Sequence, residues 1–340
     1  LKENYIFLRN ESIDLLKWQE LVQNSRYANP FQLPQFYGFC NSTPNHRGFA
    51  GAVVGENKEY YTLCVADIIQ ERGLTSYFSR RAIIYGGPLM SEDCQEQALA
   101  FLLENLHQEL KDKVIYIEIR NFKDYSGFRA VYTQKEWQYI PYQNVRNNLC
   151  NKNLNDLLGE FKYSRRREIK LTVEAGLSYQ ETQNEKDIKE IYSILKDIYK
   201  RRTGLPLPSL QYFIDFNKTG LLKVFKVEDQ GVIVGGSFCV VLDKEGIYTF
   251  YYCGIRDYKP NVFPTHLAVL AAMEYGIKND LKYVDFMGAG KPGTEYGVRN
   301  YKLGFGGDLV EEGRYLKVEN KLLYRMGTRV IDFRKRRVQK

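Results

Sequence analysis

The sequence predicts an α+β (α/β) chain built as two successive domains, and three observations carry that prediction. Its 340 residues exceed the roughly 100–200 of one ordinary domain. Tyr- and Ile-rich stretches of period two alternate with stretches of helical period in both halves. A polar, Asn-rich segment without periodicity, QNVRNNLCNKN at 143–153, separates the halves. Hydrophobic residues at 44% and charged residues at 26% lie near globular averages of about 45–50% and about 25%, which excludes disordered and fibrous chains.

In chain order, Ser12 opens a helix whose apolar positions are Ile13, Leu16, Leu21 and Val22, ending before Asn29-Pro30. A second helical piece follows PFQLPQ. Strands are expected over 60–70 and 74–88, the latter closed by Gly86-Gly87-Pro88. Asp93 caps a helix to about Lys111, and VIYIEIRN (114–121) alternates as a strand. Beyond 153, one helix is expected from about Leu154 through KYSRRREIKLTVEAG to Gly176. Another, Glu185 to about Arg202, carries Ile188, Ile191, Leu195 and Ile198 on one side. After the Pro206/Pro208 break, SLQYFIDFN forms a short helix. Strands follow at 221–227, 231–242 and 246–254, the last two joined by Asp243-Lys244-Glu245-Gly246. Pro264 opens a helix to about Lys278, and YVDFMG and RYLKV are strands. The domains are therefore placed at 1–150 and 151–320, with a basic C-terminal helix at 321–340.

The longest uncharged apolar runs, 231–242 and 261–273, fall short of the roughly 18–20 residues a membrane-spanning helix needs. The opening segment lacks the basic head and apolar run of a signal peptide, so a cytoplasmic location is expected. Cys40, Cys64, Cys94, Cys150, Cys239 and Cys253 form no CxxC pair and are read as buried free thiols. His46, His107 and His266 lie far apart without a carboxylate or Cys cluster, so no metal site is expected.

Six features bear on chemistry. GAGKPG (288–293) formally matches a dinucleotide fingerprint, but no long apolar helix follows it, and it is read as a loop. KYSRRREIK places five cations and one anion in nine residues. That density suits a phosphate or diphosphate, or equally a solvated helix face, and Arg165, Arg166 and Arg167 point about 100° apart. Lys302 lies among Gly304, Gly306 and Gly307, where an ammonium could meet a developing oxyanion; an ordinary loop lysine is the alternative. Of Tyr251 and Tyr252, one faces core and the other a pocket or solvent. His266 is read as structural, for want of a nucleophile elbow. Asp285, inside an apolar strand, needs a partner, either in the amides of the following loop or at the border of a site.

Taken together, PFQLPQFYGF, IIYGGPL, KYSRRREIKLTVEAGL, GGSFCVVLDKEGIYTFYYCG, EYGIKNDLKYVDFMGAG and GVRNYKLGFGGDL resemble, in that order, the FemABX aminoacyltransferases. The likeness runs from about residue 5 to 320. It implies two GNAT-like acyltransferase domains, each a mixed sheet flanked by helices, with a cleft between them. It also implies aminoacyl-tRNA as co-substrate, no cofactor and no metal. The implied acceptor is the side-chain amine of a lipid- or UDP-linked muropeptide, as in interpeptide-bridge formation and methicillin resistance. By position, Arg166 matches the family arginine that approaches the acceptor diphosphate, and Lys302 matches the lysine associated with transfer. Lys162, Arg165, Tyr252, Tyr301 and Asp285 are the further substrate-binding candidates. Where some members carry a lysine this chain has Phe39-Cys40, and where they carry an acidic residue it has Leu89-Met90-Ser91. It also lacks the long helical insertion of some members.

Two other readings compete. An acyl-CoA-dependent GNAT transferase is one, although GIRDYKPNVFPTHL lacks the glycine loop that cradles a pyrophosphate. A non-catalytic polyanion-binding module is the other. Residues 321–340 hold eight basic residues against one acidic, and KYSRRREIK five against one, which leaves the rest slightly acidic. Stable DNA binding is thereby disfavoured. Leu322, Met326, Val330 and Phe333 align beside arginines in the tail, which suits an anionic inner-leaflet surface or tRNA phosphate, or else a helix docked on the second domain.

Overall fold

The computed structural model describes residues 4–71, 73, 76–203 and 205–338. The chain forms two compact units, Leu1–Tyr142 with Glu312–Val330, and Gln143–Glu311 with Ile331–Lys340. The division thus falls at 142/143 and not at 150, and the chain returns to the first unit at 312.

The first unit holds β1 (Ile6–Arg9), α1 (Leu15–Asn24), α2 (Pro34–Ser42), β2 (His46–Val54) and β3 (Tyr60–Ile69). It continues with β4 (Arg81–Gly86), β5 (Leu89–Met90), α3 (Glu96–Leu110), β6 (Tyr116–Asn121), α4 (Arg129–Gln134) and β7 (Gln138–Ile140). The second unit contributes β8 (Gln143–Asn148), α5 (Leu154–Glu160), α6 (Tyr163–Glu174), β9 (Leu177–Thr182), α7 (Glu185–Ile198) and α8 (Leu210–Lys218). Then come β10 (Leu222–Asp229), β11 (Val232–Leu242), β12 (Gly246–Gly254), α9 (Pro264–Lys278), β13 (Tyr283–Asp285), α10 (Gly297–Leu303) and β14 (Asp308–Glu311). β15 (Arg314–Val318) and α11 (Lys321–Val338) complete the chain.

The first sheet runs β1-β2-β3-β4-β6-β15-β7 with β5 on β3, and the second runs β14-β8-β13-β12-β11-β10-β9. Each is antiparallel except for one parallel pair, β4 with β6 and β12 with β13. Parallel neighbours need a crossover, and α3 and α9 supply it. Leu99, Leu102, Leu103, Leu106 and Leu110 of α3 pack on Ile117 and Ile119 of β6 in one core. In the second unit β11 is covered on both faces. Ser237 donates to Ala268 O of α9 at 2.8 Å, while Phe238 packs on Phe213 of α8, 4.4 Å between ring centroids. This explains an almost unbroken apolar run.

Several expectations shift. The segment read as an aperiodic divide, 143–153, begins with strand β8, whose Asn side chains are used by the site below. The single helix expected over 154–176 breaks at Phe161-Lys162 into α5 and α6, and β9 follows. Asp14, not Ser12, caps α1, accepting from Leu16 N and Lys17 N, and α3 begins at Glu96, beyond Asp93. The expected strand 74–88 is regular only over β4, and residues 74 and 75 lie outside the described residues. The cysteines are free, but Cys150 is exposed and Cys94 half-buried. Among the described residues no helix is long and apolar enough to cross a membrane.

Candidate active site

Among the described residues, four buried acidic or basic side chains of the second unit, Arg165 of α6, His266 of α9, Lys302 of α10 and Asp285 of β13, form the candidate site, while a fifth, Asp229 of β10, pairs with Lys259. Arg165, Ile169 and Thr172 recur at helical spacing and form the buried side of α6, whereas Lys162, Arg166 and Arg167 are exposed. Of the three consecutive arginines, geometry therefore sends only Arg165 inward. Its guanidinium lies over the rings of Tyr301 and Phe305, 4.4 Å from each centroid. Gly304 makes room for it, since a Cβ there would stand 3.0 Å from Nη2 and 2.9 Å from Tyr301 O.

Arg165 Nη1 donates to His266 Nε2 and lies 3.6 Å from Glu168 Oε2. On its other side, His266 Nδ1 stands 3.3 Å from the Tyr301 hydroxyl, itself 3.3 Å from Thr265 O. Nε2 has two competing partners: accepting from Arg165, it leaves Nδ1–H to donate to Tyr301 and Tyr301 to donate to Thr265 O, whereas donating to Glu168 Oε2, 2.9 Å away, it gives up the Arg165 bond. Glu168 is also the counter-ion of Arg165. Burial, followed by the Arg165 charge, holds the imidazole down to about 3, so it is neutral at working pH. Burial also lowers the Arg165 pKa and raises those of Tyr301 and Tyr252. Tyr252 stacks on Tyr301 at 5.9 Å with 16° between planes.

Lys302 is not a loop residue: it stands in the last turn of α10 and is buried. Its Nζ donates to Phe286 O at 2.6 Å and to Gly288 O at 2.5 Å. Among the described residues its third N–H has no partner. Burial pulls the ammonium down to about 8, with Asp285 opposing that shift. Asp285 is fully buried and committed elsewhere, accepting from Asn144 Nδ2 at 2.7 Å, Arg146 Nη2 at 3.0 Å and Met287 N at 2.7 Å. Asn144 Oδ1 accepts from Gly288 N at 2.8 Å. Asp285 thus acts on the glycine loop that supplies the carbonyls holding Lys302.

GAGKPG is a loop, and its first two amides are engaged within the unit. The Gly288 amide goes to Asn144, and the Ala289 amide to Gln143 O at 2.6 Å. The Arg299 guanidinium holds Ala289 O at 2.9 Å, Thr294 O at 2.8 Å and Lys291 O. A phosphate cradle needs free amides.

Arg165, Tyr252 and Tyr301 therefore come together, and Lys302 with Asp285 stands behind them across Phe286 and Phe305, whose rings lie 6.1 Å apart. Arg166 and Lys162 remain on the exposed surface of α6, with Arg166 Nη1 3.4 Å from Gly159 O. His266, read from the sequence as structural, makes its bonds within the unit, and the sequence reading does not include Glu168, Asn144 or Arg146. The i, i+3 spacing of Arg165 and Glu168 was the available signal for Glu168. Among the described residues, no group of three or more His, Cys, Asp or Glu could hold a metal ion.

No family model and no curated protein sequence matches the chain. Solved structures do. FemX superposes with a TM-score of 0.70 at 14% identity, over 94% of this chain and 99% of that one. The C-terminal domain of a putative lysylphosphatidylglycerol synthetase from Agrobacterium fabrum gives 0.58 at 12%, over 93% and 96%. A tandem GNAT protein from the clavulanic acid biosynthesis pathway gives 0.56 at 11%, over 93% and 99%. The chain has the tandem-GNAT fold seen in FemX.

Proposed function

We propose that the chain is an aminoacyltransferase that moves an amino acid from aminoacyl-tRNA to the side-chain amine of a peptidoglycan precursor, with Lys302 as its catalytic residue. The observation that carries this reading is the Lys302 ammonium: a buried cation held by two carbonyls, with one N–H to spare, on a fold shared with FemX. The acceptor amine attacks the ester carbonyl carbon, and a C–N bond forms. The spare N–H donates to the resulting oxyanion, which is strongest where water is excluded. Collapse breaks the bond to the ribose oxygen of the tRNA, and that oxygen takes the proton the amine gives up. No covalent enzyme intermediate is required. Tyr252, neutral at working pH, offers its hydroxyl to the bound substrate, and Tyr301, whose hydroxyl is engaged by His266 and Thr265 O, supports it by ring stacking. Arg166 and Lys162, exposed on α6, suit the acceptor diphosphate.

The test supplies purified protein with muropeptide acceptors and either radiolabelled aminoacyl-tRNA or radiolabelled acetyl-CoA. The proposal expects label from the tRNA to reach the muropeptide. Transfer from acetyl-CoA alone would establish the acyl-CoA reading instead. Binding of polyanions without product from either donor would leave a non-catalytic module.

A further inference from the structure

Helix α11 docks through its opening turns. Leu323 is buried, and the Tyr324 ring packs edge-on against Tyr116 at 5.3 Å. From 329 to 333 every residue is exposed. Leu322, Met326, Val330 and Phe333 are 68%, 42%, 49% and 67% exposed, and at 100° per residue they fall within an arc of about 80°. Arg325 and Arg329, also exposed, border that row along one side. Asp332 is the sole acidic residue of the helix, and the sequence continues Arg334-Lys335-Arg336-Arg337.

We infer that this face docks the protein on an anionic lipid surface, the apolar row entering the boundary between headgroups and acyl chains while the arginines meet lipid phosphates. An apolar stripe flanked by cations on a helix of low mean hydropathy is the arrangement that lies in a membrane interface. RNA would satisfy the cations but leave four apolar side chains in water, because a phosphate backbone offers them no partner. A second copy of the helix would bring like charges together. The inference is independent of the proposed transfer, since it concerns where the protein works and not which bond it forms.

Flotation of the full chain with lipid vesicles tests it. Vesicles of equal parts phosphatidylglycerol and phosphatidylcholine carry the protein upward, and pure phosphatidylcholine vesicles do not. Exchanging Leu322→Glu with Phe333→Glu lowers partitioning at least about 100-fold, because both apolar contacts are lost and two repulsive charges gained. Arg325→Glu with Arg329→Glu lowers it at least about tenfold, and added salt weakens the parent's binding. All four positions are exposed, so circular dichroism of the variants should match the parent. Three results would overturn the inference: no flotation with anionic vesicles, flotation indifferent to the Leu322/Phe333 exchange, or capture of the helix by tRNA or a second copy in place of vesicles.

Discussion

In the first unit, β6 carries Glu118 between two guanidiniums, Arg120 at 2.7 Å and Arg314 at 2.9 Å. In the second unit the corresponding strand after the crossover helix, β13, leads into a loop whose carbonyls hold Lys302. Both places concentrate charge, but they compensate it differently. Although burial opposes it, the two arginines keep the Glu118 carboxyl at about 2, so its charge persists across the working range. Lys302 is surrounded by dipoles while the nearby carboxylate is engaged by Asn144 and Arg146, and its pKa falls to about 8. A charge balanced by opposite charge holds a fold together. A charge balanced mainly by dipoles is costly to bury and available to a substrate. The same crossover topology thus ends in a structural ion network in one unit and a poised ammonium in the other.

Lys302→Met gives the largest effect that tests this contrast. The loss of one oxyanion donor should slow single-turnover transfer by about 10²–10³-fold. Stability should not fall in step. Free lysine titrates at 10.5 and the folded group at about 8, so between those values the unfolded chain binds more protons. The wild type therefore gains stability as pH rises through that window, by about 1.4 kcal/mol per unit. The Met variant should lack that gain and be at least as stable at neutral pH, as urea unfolding at several pH values would reveal.

Glu118→Gln in the first unit should do the reverse. It leaves Arg120 and Arg314 without a counter-charge and should lower unfolding free energy by about 2–3 kcal/mol. Transfer per folded molecule should be unchanged. A larger catalytic loss here than in Lys302→Met would erase the contrast between the units.

His266 sharpens it through acid. Its folded pKa of about 3 lies below 6.5, so under pH 6.5 the unfolded chain takes up the extra proton. Stability from this group is fully present above 6.5 and declines as pH falls toward 3, by about 1.4 kcal/mol per unit. His266→Gln should flatten that acid limb in thermal denaturation. An unchanged limb would show that the imidazole titrates normally in the folded chain, against the burial that surrounds it. The smallest effect is expected from Arg166→Ala. This exposed position should leave stability within about 0.5 kcal/mol of the parent while weakening acceptor binding, read as a raised KM with kcat retained.

The sequence made the order of elements legible wherever a local signal was strong: the Pro264 start of α9, the turn between β11 and β12, the alternation of β6. It concealed β8 because Asn144 and Asn147 are polar yet buried. Asn144 bonds Asp285 and the Gly288 amide, and Asn147 donates to Phe305 O at 2.8 Å. A strand that spends its side chains on a loop has no apolar period to read. The break at Phe161-Lys162 was hidden for a related reason. Phe161 is buried against Phe305, 5.4 Å between centroids, and Lys162 N bonds Gly304 O at 3.0 Å, both tertiary contacts made 140 or more positions away along the sequence. Lys302 and Asp285 were visible as an odd cation among glycines and an odd acid among apolar residues. Arg165 is named in the sequence beside Arg166 and Lys162 with nothing local to show that it alone turns inward, and its contact with His266 becomes visible only when α6 and α9 are set side by side.

The central claim is that the charge of Lys302, and not merely its bulk, drives transfer. Single-turnover transfer from aminoacyl-tRNA, followed from pH 7 to above 9 in the wild type and in Lys302→Met, tests it most directly. The account predicts a descending limb centred at about 8 in the wild type, where the ammonium is lost, and no such limb in the variant. The same pH profile in both proteins, at comparable rates, would contradict it.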